Sequence, residues 1–213
     1  MIGATVVACR TAPPGASLAN SPAPSTEESA AAIAKARADS ARYPYTAADI
    51  HFMSAMIAHH GQAIAMARLA PVNGASAAVR TLAERIINAQ QDEIAIMQRW
   101  LSDRRQPVPQ ATATAASASH HDHAAPMPGM LTAAQMKQLE EAKSAQFDRL
   151  FLTFMIQHHN GAIVMVNELL GTIGAAQDQT VFKLASEVNV DQSTEVARMS
   201  KMLADLIFVR PPS

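Results

Sequence analysis

The feature that most restricts this chain is a stretch it uses twice. Phe52–Met66 reads Phe-Met-Ser-Ala-Met-Ile-Ala-His-His-Gly-Gln-Ala-Ile-Ala-Met, and Phe151–Met165 reads Phe-Leu-Thr-Phe-Met-Ile-Gln-His-His-Asn-Gly-Ala-Ile-Val-Met. Phe, Met, Ile, both His, Ala, Ile and Met recur at the same places. A repeat held in one register implies two copies of one structural unit.

On a helix, residues three, four and seven apart share a face. Phe52, Met56, His59, Ala63 and Met66 therefore form one stripe, and His60 falls on the neighbouring one with Met53, Met56, Ile57 and Ile64. The second copy sets His158 among Met155, Ala162 and Met165, and His159 beside Met155, Ile156 and Ile163. Two adjacent histidines cannot point one way, and burying both costs desolvation unless each finds a partner. Imidazole and thioether together suit copper, and thioether favours its cuprous form; other soft or borderline metals are open to the same donors. The plain alternative is that the methionines are flexible core filler.

Aromatics make up only 4% of the chain, so alanine, leucine, isoleucine and methionine carry a hydrophobic content of 49%. That balance favours packed helices over sheets. A formal net charge of -1 gives no electrostatic case for nucleic acid. All 8 histidines lie in or beside the two repeats or in the segment between them, and the 12 methionines exceed the needs of a core this size. The single cysteine, Cys9, excludes an internal disulfide and a thiolate zinc cluster. It ends an apolar run, Val6-Val7-Ala8-Cys9, that resembles the end of a bacterial lipoprotein signal and makes Cys9 a candidate for lipidation.

In chain order, residues 1–24 read as a signal remnant and tether, and 25–45 as a short helix ended at Tyr43-Pro44. Residues 46–103 form the first helical hairpin. Thr46 is its N-cap, Asp49 lies in the first turn, and Asn73-Gly74 makes the turn between its helices. Residues 104–131 are a proline-broken, disordered linker, and 132–208 are the second hairpin, expected as one long helix to about Leu170 and a last one from about Gln177. Gln90-x-x-Glu93-x-x-x-Met97 in the first hairpin recurs as Gln192-x-x-Glu195-x-x-x-Met199 in the second. Two repeated hairpins make an all-α four-helix bundle over 46–208, with the short helix extra.

Bundle cores build metal sites from side chains on facing helices. Met97 and Met199 are placed either as a third ligand or as core. Glu93 and Glu195 are candidates to receive the second N–H of a metal-bound imidazole, or are partly exposed helix carboxylates. The linker carries His120-His121-Asp122-His123 and then Met127-Pro128-Gly129-Met130. A tract so biased is a candidate secondary metal site, or a solvated connector. Met53 and Met202, on the inward stripes, are further secondary candidates. Ferritin-type di-iron chemistry would need Glu three residues before the histidines, and neither pair has one. No haem-attachment or nucleophile-elbow motif occurs.

The pattern Met-x-x-His-His-x-x-Ala-Ile-x-Met, present twice and each time followed by a helix with Glu-x-x-x-Met, resembles the bacterial ferritin-like family of unknown function numbered 305. The likeness spans about Thr46 to Leu206. It implies a ferritin-like helical bundle, export to the periplasm or cell surface, and copper binding as in a cyanobacterial member. Carried to the matching positions, the implied ligands are Met56, His59, His60, Met66, Met155, His158, His159 and Met165, with Met97 and Met199.

These features point to an exported copper-binding protein, periplasmic or lipid-anchored, that sequesters Cu(I), and Cu(II) with it, or exchanges it with an exporter or chaperone. A redox enzyme oxidising Cu(I), and a metal-free bundle that binds a partner, are the alternatives. Histidine ligation predicts that binding weakens below about pH 6, as protons compete for the rings.

Overall fold

Thr46 starts the first helix of the bundle because its side chain accepts from the Asp49 amide while the Asp49 carboxylate accepts from the Thr46 amide at 2.6 Å. This reciprocal capping satisfies two amides that a helix start leaves without partners. The computed structural model of the chain describes residues 45–111 and 127–208, with Ala30 and Ala34 as isolated helical positions. The chain divides into a unit Met1–Asp39 and a unit Ser40–Ser213, and everything below concerns the second. Its helices are α1 (Ala47–Arg68), α2 (Ala77–Asp103), α3 (Ala133–Glu141), α4 (Ser144–Gly171) and α5 (Gln179–Phe208). Among the described residues there is no strand, and no helix is long and apolar enough to cross a membrane.

α1 packs on α2 and α4 packs on α5, so each repeat is a helical hairpin, and α1 against α4 joins the two. The protein is an all-helical bundle. Gly74 takes a left-handed conformation (φ 69°) in the α1–α2 turn, which glycine adopts without a Cβ penalty.

The expected single helix before the second histidine pair is two. Asn73, buried in the α1–α2 turn, donates its side-chain amide to the carbonyls of Leu139 and Glu140, and its own carbonyl accepts from the Ser144 amide at 2.8 Å. Lys143 reaches the Asn73 Oδ1 at 2.7 Å. These bonds take the groups that would continue the helix, and the chain passes through Ala142 and Lys143 in extended conformation. The last helix begins at Gln179 because the Asp178 carboxylate accepts from the amides of Thr180 and Val181. The same carboxylate takes the Trp100 indole N–H at 3.1 Å and the Arg104 guanidinium at 2.6 Å.

Two buried aspartates at matching places in the repeat cross-link the hairpins. Asp49 of α1 accepts from the Ala176 amide before α5 at 2.7 Å, and Asp148 of α4 accepts from the Ser76 amide before α2 at 3.2 Å. Each hairpin thus fixes the helix-connecting turn of the other.

The linker, expected to be disordered throughout, is anchored at both ends. Ala111 lies against Gly61, and Leu131 is buried and exchanges two hydrogen bonds with the Gln62 side chain, at 2.7 and 3.0 Å. Residues 112–126, with the His120-His121-His123 tract, lie outside the described residues, as do Cys9 and most of residues 25–45, where a short helix is expected.

Candidate metal centre

All four repeat histidines are fully buried at the α1–α4 contact. Helical spacing puts each pair on two neighbouring stripes, and the pairs meet where α1 crosses α4. His59 and His158 lie ring to ring, centroids 3.8 Å apart. His60 and His159 turn outward from this centre to the second helix of their own hairpin. There the Nε2–H of His60 donates to Glu93 and that of His159 to Glu195, each at 2.7 Å. The Nε2–H of His59 donates to the Pro128 carbonyl at 3.0 Å.

These partners fix the tautomers. A neutral imidazole that donates from Nε2 keeps its lone pair on Nδ1. In His59, His60 and His159 that Nδ1 is buried with no hydrogen-bond partner, and His158 has neither nitrogen satisfied. A buried polar atom without a partner carries a desolvation cost of roughly 1–3 kcal/mol. Here five such nitrogens gather in one region. A metal ion is the ligand that unprotonated ring nitrogens accept, and a carboxylate or carbonyl on the far nitrogen is the usual companion of a metal-bound histidine.

Burial also keeps the central rings neutral. Desolvation, reinforced by the neighbouring His60, pushes the His59 pKa down to about 3 against the opposing pull of the Pro128 carbonyl. Burial and then His59 hold His158 well below the usual range. At these two rings protons therefore do not compete at the pH 6 expected of ordinary histidines; for His59 competition begins near pH 3.

The methionines sort by symmetry. Met56, Met97 and Met165 share one core cluster, with Met53. Met155, Met199 and Met66 share the other, with Met202 packed half-buried against it. The repeat exchanges Met56 with Met155, Met66 with Met165 and Met97 with Met199. Each sulfur trio therefore draws two members from one hairpin and one from the other. Met127 and Met130 are half-buried on the linker end. Among the described residues no three His, Cys, Asp or Glu side chains close on one point.

Three contacts around the rings have no local sequence signal. The Pro128 carbonyl, the Gln62 bonds and the close approach of Gly129 to Gly161 press the end of the linker over the His59 side of the centre. Their only trace in the sequence is a glycine in each of the two approaching segments.

Fold and centre together define a two-hairpin bundle with paired histidines buried at its middle. The chain belongs to the DUF305 family, a domain of unknown function, whose pattern matches residues 49–203. Among functionally curated proteins, none matches the chain. Among solved structures, a DUF305 fragment from Deinococcus radiodurans is 28% identical, with a TM-score of 0.63, over 76% of this chain and 98% of that one. A predicted secreted DUF305 protein from Streptomyces coelicolor is 26% identical, with a TM-score of 0.62, over 75% of this chain and 93% of that one. CopM in its Cu(II)-bound form is 28% identical, with a TM-score of 0.58, over 74% of this chain and 96% of that one. CopM has also been solved with Cu(I) and with Ag.

Proposed function

We propose that this chain is an exported copper-binding protein that holds Cu(I), and Cu(II) with it, for sequestration or transfer. The observation that carries the reading is the set of buried imidazole nitrogens without partners, their far sides already bonded to Glu93, Glu195 and Pro128. The matching forms of CopM with Cu(I), Cu(II) and Ag support it, since silver shares the soft character of cuprous ion. His59, His60, His158 and His159 supply nitrogen donors. Met56, Met97 and Met165 on one side, and Met66, Met155 and Met199 on the other, supply sulfur. Thioethers stay neutral at any pH and hold cuprous ion without thiol oxidation.

The symmetry of the two trios favours two equivalent sulfur sites per chain. Residues 46–208 act as one domain, the Cys9 segment serves export or anchoring, and a copper exporter or chaperone is the partner. The predicted secretion of the Streptomyces coelicolor relative supports the location outside the cytoplasm.

Competitive titration of Cu(I) against a chromophoric chelator tests the reading. The wild-type chain should bind more tightly than micromolar. Replacing Met56, Met97 and Met165 with leucine conserves volume and should remove one of two equivalents while leaving the fold intact. Micromolar or weaker binding, unchanged by those substitutions and by alanine at all four histidines, would refute it.

A further inference from the structure

α2 and α5 face one another across a groove of about 270 Å³ whose lining includes Glu93, Asp191, Glu195, Gln90 and Gln192. Gln90 and Gln192 occupy matching positions in the repeat, and each is only 3% exposed. Neither amide has a hydrogen-bond partner for its nitrogen or its oxygen. Glutamines rarely sit so deep without satisfaction, because each amide so buried forfeits its bonds to water. Glu93 and Glu195 spend Oε2 on their histidines. Asp191 lines the same groove, where burial first, and then the charges of Glu93 and Glu195, hold its carboxyl above the usual range.

We propose that this groove binds a hydrated hard divalent cation of the Mg²⁺ or Mn²⁺ class, held by Glu93, Asp191 and Glu195 and by the amide oxygens of Gln90 and Gln192. The donors are all oxygen, which selects hard ions and separates this site from the nitrogen and sulfur of the histidine centre. The carboxylates do not close on one point, so the ion keeps water between itself and part of its shell. Such ions dehydrate reluctantly and are commonly held this way. At about 30 Å³ per water, the groove accommodates an aqua ion. Arg85 and Arg198 also line it and are exposed, leaving the lining one negative charge in excess. An anion seated there would face all three carboxylates, so the sign of the field favours a cation.

The test is titration of Mn²⁺ into the full, metal-free chain at pH 7, read from the loss of the free-ion paramagnetic resonance signal. The expected result is one Mn²⁺ per chain, displaced by excess Mg²⁺. Asp191→Asn, and separately Gln90→Leu with Gln192→Leu, should each weaken binding at least tenfold. The leucine pair replaces unpartnered buried amides with apolar groups of similar size, so its melting temperature should not fall, and its Cu(I) affinity should be unchanged. A chain with His59→Leu and His158→Leu should keep its Mn²⁺, which separates this site from the proposed copper centre. No loss of the free Mn²⁺ signal, or binding equal to wild type in both the Asp191 and the glutamine variants, would overturn the proposal.

Discussion

The rings of His59 and His158 lie 3.8 Å apart, centroid to centroid, with no solvent exposure on either. Each comes from its own hairpin at the same step of the repeat. Two imidazoles this close and this dry cannot both carry the second proton that makes them imidazolium. The arrangement tolerates neutral rings or a shared cation, and it has direct consequences for acid stability.

In the metal-free protein the folded-state pKa of His59 is about 3, while the unfolded chain takes a proton near 6.5. Between these values the unfolded state binds the proton and the native state does not. Stability is therefore full above pH 6.5 and is lost as pH falls toward 3, at about 1.4 kcal/mol per pH unit for such a ring. His158, shifted in the same direction, adds to the slope. Urea melts between pH 7 and pH 5, above most carboxylate titration, should show this decline. His158→Leu should make the decline shallower while leaving the His59 share. A flat profile in the wild-type chain would show that the rings are not held neutral by the fold.

The carboxylates behind the outer rings should matter to metal affinity more than to folding. Glu93 and Glu195 are side chains of intermediate exposure, at 15% and 25%, whose bonds to His60 and His159 orient those rings. Losing such a partner typically costs 10–100-fold in metal affinity. Glu93→Ala should therefore weaken Cu(I) binding by at least tenfold in chelator competition, and Glu195→Ala by a similar factor, as the repeat requires. Glu93→Gln keeps an acceptor and should lose less. Equal affinity in wild type and both alanine variants would remove these residues from any role in the centre.

Much of the bundle was readable because helical periodicity and the repeat are both local patterns. Met56, His59 and Met66 fall on one stripe whatever the rest of the chain does, and Glu93 and Glu195 stand at one place on two second helices. What escaped reading depends on groups far apart in sequence. Nothing near Ala142 encodes a helix break; the Asn73 side chain and carbonyl impose it from the other hairpin. The Pro128 carbonyl that fixes His59 belongs to a segment whose composition reads as linker. Asp49 and Asp148 do occupy matching positions, so the pair was visible, but the backbone amides they accept from were not.

Those aspartates give a stability prediction with a built-in comparison. Asp49 accepts from the Ala176 amide at 2.7 Å, the Thr46 amide at 2.6 Å and the Thr46 hydroxyl at 2.8 Å. Asp148 accepts from one amide, that of Ser76, shared between its two oxygens at 3.2 Å each. Each amide left buried without a partner costs roughly 1–3 kcal/mol. Asp49→Ala should thus destabilise by about 2–4 kcal/mol and Asp148→Ala by about 1–2. In a domain of this size about 1 kcal/mol moves the melting temperature by roughly 2–4 °C. Calorimetry of both variants checks the order; a milder effect at Asp49 than at Asp148 contradicts the bonding described.

Two glycines of α4 should respond to alanine with opposite signs. Helix propensity alone favours alanine over glycine by about 1 kcal/mol. At Gly171 nothing lies within 4 Å of an added Cβ, so Gly171→Ala should stabilise by up to that amount. At Gly161 the added carbon would run into the Pro128 carbonyl and the Gly129 backbone. The obstacle is main chain, so it cannot swing aside; the linker end must lift. That movement breaks the Pro128 bond to His59, and it strains the two bonds between Gln62 and Leu131. The packing loss exceeds the propensity gain, and Gly161→Ala should lower stability while speeding proteolytic cleavage around Pro128 and Gly129. With His59 released from its carbonyl, its tautomer is no longer fixed, and Cu(I) affinity should fall with it. Limited proteolysis and chelator competition on the two variants separate these effects. Unchanged cleavage and unchanged affinity in Gly161→Ala would mean that the linker end does not hold the ring.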